Sequence, residues 1–125
     1  MEKYEAASYQ NDVINSFKYE SNLYLYGPGF INYNIEDDIR EIIAKSSFVP
    51  DLIILGHSWL GDKDSIDIDF HPNLKINTVK VPKFAILNKE YVNLNEKLNY
   101  IKKNKFDFCF THHHDIEYYR KKNKY

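Results

Sequence analysis

Cysteine, net charge and long apolar runs are all scarce in this chain of 125 residues. Cys109 is the one cysteine, so no disulfide can form within the chain, and we expect a reducing, cytoplasmic setting. Because Cys109 lies in an apolar run, we expect a buried, inert thiol. The formal net charge of -1 favours neither nucleic acid nor a membrane surface as a partner. No apolar run approaches the ~20 residues of a membrane-spanning helix, and residues 1–5 lack the apolar core of a signal peptide.

Aromatic side chains, in contrast, are abundant, with Tyr 11 and Phe 8. The length and the hydrophobic fraction of 43% fit a single globular domain, residues 1–125. Patterns typical of helices and strands alternate along the chain, which predicts an α/β fold with a Rossmann-like parallel sheet of four to five strands flanked by helices. We expect helices at 4–19, 36–46, 91–104 and from 116 onwards, core strands at 23–26, 52–55, 83–87 and 106–110, and a short edge strand within 65–70.

Each predicted core strand is followed by glycines or polar residues. The carboxyl ends of parallel strands lie at one edge of a sheet, and open α/β folds bind their ligands there. The sequence therefore predicts a ligand site at this edge before it indicates which ligand binds. The four clusters are Gly27-Pro28-Gly29, Gly56-His57-Ser58, Asn88-Lys89-Glu90 and Thr111-His112-His113-His114-Asp115.

The first two clusters differ in the chemistry they offer. Two glycines around Pro28 are too few for a phosphate-binding loop, so a tight turn is the favoured interpretation. His57 directly follows a predicted buried strand, and Trp59 could stack on a sugar or a base. A capping histidine and a packed tryptophan explain the same pattern equally well.

The other two clusters supply groups for binding and proton transfer. Lys89 could hold an anionic or hydroxyl-rich ligand and Glu90 could act as a base, although a helix cap with a dipole-complementing carboxylate is equally compatible. Consecutive histidines point in different directions, so one histidine facing the site, such as His113, is favoured over a zinc centre. Asp67 and Asp69 are typical of a solvated strand face rather than of a metal site.

The ordered set of clusters resembles the N-terminal half of a GT-B glycosyltransferase, most closely the spore-maturation-type enzymes. The similarity extends over residues 9–119. It implies one of two Rossmann-like domains that face each other across a cleft, with the acceptor received by this domain and the nucleotide sugar held by the other. It is carried by Tyr26 to Phe30, Pro50 to Gly56, Leu87 to Tyr91 with Leu94 and Lys97-Leu98, and Phe106 to Thr111 with the histidines.

The resemblance also implies roles for individual residues. Glu90 or His57 would be the catalytic base, and the acceptor would be bound by Gly29, Trp59, Lys89 and His113. The chain itself would bind no metal and no cofactor, and a nucleotide sugar would serve as donor only where a second domain is supplied.

Compared with that family, the chain lacks an opening strand and a second domain, so we expect an acceptor domain truncated at both ends and incomplete on its own. Its expected partners are a second α/β domain or another copy of the chain, and a carbohydrate or glycan acceptor. Two alternatives stay open: a non-catalytic binding or self-association module, and a small metal-dependent hydrolase that uses His57, His113 and Asp115.

Overall fold

A computed structural model describes residues 8–56, 59–60, 71–87, 92–111, 117 and 121, with side chains from residue 12 onwards. Within these residues the protein is a mixed α/β structure in which helices flank a parallel sheet. Glu117 and Lys121 are helical and fall inside the helix predicted at the C-terminal end. The elements are α1 (Ser8–Lys18), α2 (Ile39–Ser46), β1 (Ile53–Leu55), a short 3-10 helix (Ile76–Thr78), β2 (Lys83–Ile86), α3 (Leu94–Lys103) and β3 (Phe108–Phe110).

The sheet has three parallel strands in the order β1-β2-β3. The register pairs Leu55 with Ala85 and Ala85 with Cys109, so the strands are nearly level along the sheet. The predicted parallel α/β class is confirmed, whereas the four to five strands are not, because the described residues contain three. The predicted edge strand within 65–70 lies outside the described residues.

The predicted strand Leu23–Tyr26 is wrong, because this extended segment forms no ladder with a neighbouring strand. The segment is hydrogen-bonded instead to the loop that follows it. The Tyr24 hydroxyl accepts a hydrogen bond from Asn32 Nδ2 at 2.5 Å, and the Leu25 carbonyl accepts one from the same amide at 3.3 Å. These contacts hold the segment against the loop rather than in the sheet.

Helix α2 begins later than the predicted range of 36–46. Asp38 caps it by accepting hydrogen bonds from the backbone N–H groups of Arg40 and Glu41, and the Glu41 side chain accepts one from the Asp38 N–H in return. This reciprocal capping box fixes the start of the helix at Ile39. Asp37, which we expected in the first turn, therefore lies outside the helix.

The core lies where α2, α3 and the sheet meet. In α3, Leu94, Leu98 and Ile101 recur at helical spacing, and all three are buried. The core residues are Ile39, Ile42, Leu55, Leu60, Leu74, Ile76, Ala85, Leu87, Leu94, Leu98 and Ile101.

The outer strand β3 is the least covered part of the sheet. Phe108 and Phe110 are exposed and pack edge-on against Phe84, with ring centroids 4.8 and 5.4 Å away. Cys109 between them is also exposed, so the expected burial of its thiol is wrong. Its neighbour in register, Ala85, is fully buried, because β2 has a strand on each side whereas β3 is outermost among the described strands.

No helix in the described part of the chain is both long enough and apolar enough to cross a membrane.

Candidate functional site

The three strands end close together at the carboxyl edge of the sheet. Leu55, Ile86 and Phe110 are their last residues, and the Leu87 N–H still donates to the Phe110 carbonyl at 2.9 Å just beyond β2. The chain therefore leaves the sheet at three adjacent points. The polar residues predicted to act here come directly after those points in the sequence, but His57, Lys89, Glu90, His113 and Asp115 lie outside the described residues, and their roles stay predictions.

The turn at Gly27-Pro28-Gly29 has the geometry of a type II β-turn. The Phe30 N–H donates to the Gly27 carbonyl at 3.0 Å, Pro28 occupies the second position, and Gly29 has a φ of +96°. The favoured interpretation of this cluster, a tight turn, is confirmed. Gly29 is exposed on the turn, and a side chain there would be strained by the positive φ rather than by lack of space.

Trp59 lies against this turn. A Cβ added to the buried Gly27 would meet the indole ring at 3.5 Å, which is ordinary van der Waals contact, so the φ of +148° is the stronger requirement for glycine. On its other side the indole is near Tyr26 and His71, with ring centroids at 6.5 and 5.4 Å. Of the two described site candidates, Trp59 thus joins an aromatic cluster, whereas Gly29 shapes the turn.

The carboxylate of Asp37 is the centre of a polar network that includes Tyr26 of the aromatic cluster. Lys45 forms an ion pair with Asp37 Oδ2, and the Tyr26 hydroxyl donates to the same oxygen at 2.5 Å. The Asn34 N–H in turn donates to the Tyr26 hydroxyl at 3.0 Å. The network ties the segment before the turn to the loop before α2, and it joins residues that are eight or more positions apart.

His71 is 1% exposed and uses both ring nitrogens. Nε2 lies 2.6 Å from the Asp37 carbonyl oxygen, which can only accept, so Nε2 carries the proton and donates. In the neutral ring Nδ1 then accepts from the Tyr33 hydroxyl at 3.2 Å. Through these two hydrogen bonds His71 connects the loop that contains Asp37 to Tyr33.

Burial and hydrogen bonding shift the titration of three members of this network. Burial, followed by the hydrogen bond to Asp37, raises the pKa of Tyr26 to about 12. Burial also raises the pKa of Tyr33. The Lys45 ammonium and then the Tyr26 hydroxyl lower the pKa of the Asp37 carboxyl. At neutral pH the Asp37 carboxyl is therefore ionised, and the phenols of Tyr26 and Tyr33 are neutral.

Sequence reasoning missed this network. Asp37 was assigned to the first turn of a helix, and Tyr26 to a strand. The one local signal was the pair of acidic residues Asp38 and Glu41, whose three-residue spacing marks a capping box and would have placed Asp37 ahead of the helix. Nothing in the sequence indicates that His71 meets Asp37.

A large apolar cavity of about 740 Å³ opens beside β1. Its walls are formed by residues of α1, the segment 22–30, α2 and the chain from Pro50 to Gly56, and Trp59 also lines it. The side chains that line it from the two helices are Val13, Ile14, Phe17, Ile39, Ile42, Ile43 and Ser46.

Within the described ranges, no group of three or more histidine, cysteine or acidic side chains could hold a metal ion. The residues of the alternative metal-dependent hydrolase lie outside those ranges, so that hypothesis is not tested by this geometry. No protein-family model matches the chain, and no curated protein and no solved structure matches it either.

Proposed function

We propose that this chain is the acceptor-side domain of a glycosyltransferase-type enzyme and binds a hydroxyl-rich acceptor at the carboxyl edge of its sheet. One observation carries the proposal: three parallel strands in sequence order end level with one another, directly ahead of His57, Lys89-Glu90 and His113. The position of Trp59 beside the glycine turn supports it, because aromatic rings with a few polar groups are typical of small-molecule sites.

The chemistry assigned to these residues is proton removal and orientation. The acceptor hydroxyl must lose its proton as it attacks the donor sugar, and Glu90 or His57 is the base. Lys89 orients the acceptor. The nucleotide sugar is contributed by a second α/β domain, so this chain alone binds acceptor without turnover.

The test uses Trp59, the single tryptophan, as an internal reporter. Saccharides are titrated while indole fluorescence is followed, and calorimetry of the same titrations detects binding that leaves the fluorescence unchanged. Lys89→Ala is expected to weaken binding by on the order of tenfold, since a hydrogen bond from a charged group is worth about 1.5 kcal/mol or more. The matched control is Lys80→Ala, which removes an exposed lysine between the 3-10 helix and β2 and should leave binding unchanged. Absence of saccharide binding in both assays would exclude the proposed function.

A second candidate function, self-association, is favoured by the uncovered aromatic face of the sheet. Phe108 is 60% exposed, and β3 has no further strand beside it among those described. Outer strands and exposed apolar patches are common association surfaces. Sedimentation velocity at increasing protein concentration tests it, and Phe108→Ser should shift a self-associating chain towards monomer. A monomer at every concentration would exclude this function.

A further inference from the structure

We propose that the acceptor is an amphiphile whose aliphatic chain lies in the apolar cavity beside β1 while its hydroxyl-rich head lies at the carboxyl edge of the sheet. The head-group part rests on the proposed function above. The aliphatic part rests on the cavity alone, so the two parts can fail separately.

The cavity has the length and the walls that an extended chain requires. It is lined by consecutive residues from Leu52 to Gly56, a stretch that spans about 13 Å at roughly 3.3 Å per residue step. Val13 and Phe17 of α1 and Ile43 of α2 also line the cavity. The volume of about 740 Å³ falls within the usual range for small-molecule sites.

The hydroxyl groups of the lining residues are already hydrogen-bonded. The Tyr24 hydroxyl is bonded to Asn32, and the Tyr26 hydroxyl to Asn34 and Asp37, none of which lines the cavity. The Ser46 hydroxyl lies 2.6 Å from the Ile43 carbonyl oxygen and 2.9 Å from that of Phe48, and it donates its one hydrogen to either of them. Water inside such walls finds few partners, and an empty apolar space costs stability in proportion to its volume. An aliphatic chain therefore makes more favourable contacts with these apolar walls than water or a sugar does.

The position of the cavity connects it to the proposed acceptor edge. Gly27, Gly56 and Trp59 line the cavity and lie close together, because Trp59 packs against Gly27 and its backbone N–H donates to the Gly56 carbonyl at 3.1 Å. Gly56 is the first residue beyond β1, whereas Phe48 and Pro50, which also line the cavity, precede the strand. A molecule whose chain runs along β1 therefore presents its head at the edge where the strands end.

The experiment compares methyl, hexyl, octyl and decyl β-glucosides, all below their micelle-forming concentrations, by calorimetry and Trp59 fluorescence. Each methylene that leaves water is worth about fourfold in Kd, so Kd is expected to fall at least tenfold from methyl to octyl glucoside. Decanol is titrated as a chain without a sugar. The chain-length series uses the unmodified protein and so does not depend on any variant folding.

A matched pair of variants locates the chain. Ile14→Asp places a short carboxylate in the cavity wall and should abolish the gain from the alkyl chain while methyl glucoside binding is kept. Ile31→Asp makes the same change at a residue that is 92% exposed and outside the cavity, so it should preserve the gain. Circular dichroism confirms that both variants fold.

The outcomes separate the two proposals. Equal affinity for all glucosides overturns the amphiphile inference and leaves the sugar site standing. Binding of decanol with no binding of any glucoside overturns the amphiphilic acceptor together with the proposed function. The inference is also overturned if the affinity gain with alkyl-chain length survives Ile14→Asp. It is overturned as well if a second copy of the protein fills the cavity, which would appear as a dimer whose affinity for glucosides does not depend on alkyl-chain length.

Discussion

Removing the hydroxyl of Tyr26 tests whether the Asp37 network stabilises the fold. Tyr26→Phe deletes the donor to Asp37 Oδ2 at 2.5 Å and keeps the ring, whose centroid lies 5.4 Å from that of Tyr33. Asp37 retains its ion pair with Lys45, and the Asn34 N–H that loses its acceptor is at the surface, where water can replace it. The hydroxyl also lies 2.8 Å from the carbonyl oxygen of Asn34, again at the surface, where water can take its place. The main loss is therefore the hydrogen bond to the charged Asp37, worth about 1.5–3 kcal/mol.

The assay is urea unfolding followed by circular dichroism, with the midpoint and slope fitted for each variant. Tyr19→Phe is the matched control, because Tyr19 is 88% exposed and its hydroxyl is solvated, so a change below about 0.5 kcal/mol is expected there. If Tyr26→Phe costs no more than Tyr19→Phe, the hydroxyl of Tyr26 adds nothing beyond what water supplies, and the reasoning is refuted.

Alkaline titration gives a second readout of the same hydroxyl. The pKa of Tyr26 is raised to about 12 in the folded protein, above its ordinary 10.0, so the neutral phenol stabilises the fold below pH 10. That contribution is lost as the pH rises from about 10 to about 12. Tyrosinate absorbance should therefore show a late-ionising phenol that is absent in Tyr26→Phe, while the phenol of Tyr33, whose pKa burial also raises, remains in both proteins. A titration identical in the two proteins would contradict this assignment.

The remaining predictions concern acid stability and the core. The pKa of Asp37 is lowered below its ordinary 3.8, so the ionised carboxylate stabilises the fold above that pH. This stabilisation is lost as the pH falls through the pKa of the folded state. The urea midpoint of the wild type should therefore drop below about pH 4, and that of Asp37→Asn should drop less steeply. Equal slopes would contradict this. Leu98 is 3% exposed on α3, and Leu98→Ala should lower the free energy of unfolding by about 2–5 kcal/mol in the same assay. Val49→Ala at the surface should lower it by under about 0.5 kcal/mol. A loss at Leu98 as small as that at Val49 would mean that α3 does not close the core.

Much of the fold could be predicted because its signals are local. Leu94, Leu98 and Ile101 recur at helical spacing, and all three are buried. The continuous apolar run ending at Leu55 is a strand of the parallel sheet, as expected for a strand between covering layers. Alternation of such runs with helices was sufficient to predict a parallel sheet.

The candidate site could be predicted only in outline. That polar clusters follow the strands is visible in the sequence, and the level register of the strands agrees with it. The Asp37 network could not be predicted, because it joins Tyr26, Lys45 and His71 through contacts between positions far apart in the chain. No periodicity connects such positions, and their meeting depends on how the loops pack.

The segment Leu23–Tyr26, which was predicted as a strand, instead lines the apolar cavity together with β1. Paired strands lie about 4.8 Å apart, so a fourth strand laid against β1 would leave no room for about 740 Å³ between them. The segment has suitable residues for a strand, but Tyr24 and Tyr26 direct their hydroxyls to Asn32 and Asp37. Those bonds tie the segment to the loop before α2. They join positions that are 8 and 11 residues apart, so a strand-propensity rule, which considers only local preference, cannot distinguish a fourth strand from the arrangement that is present.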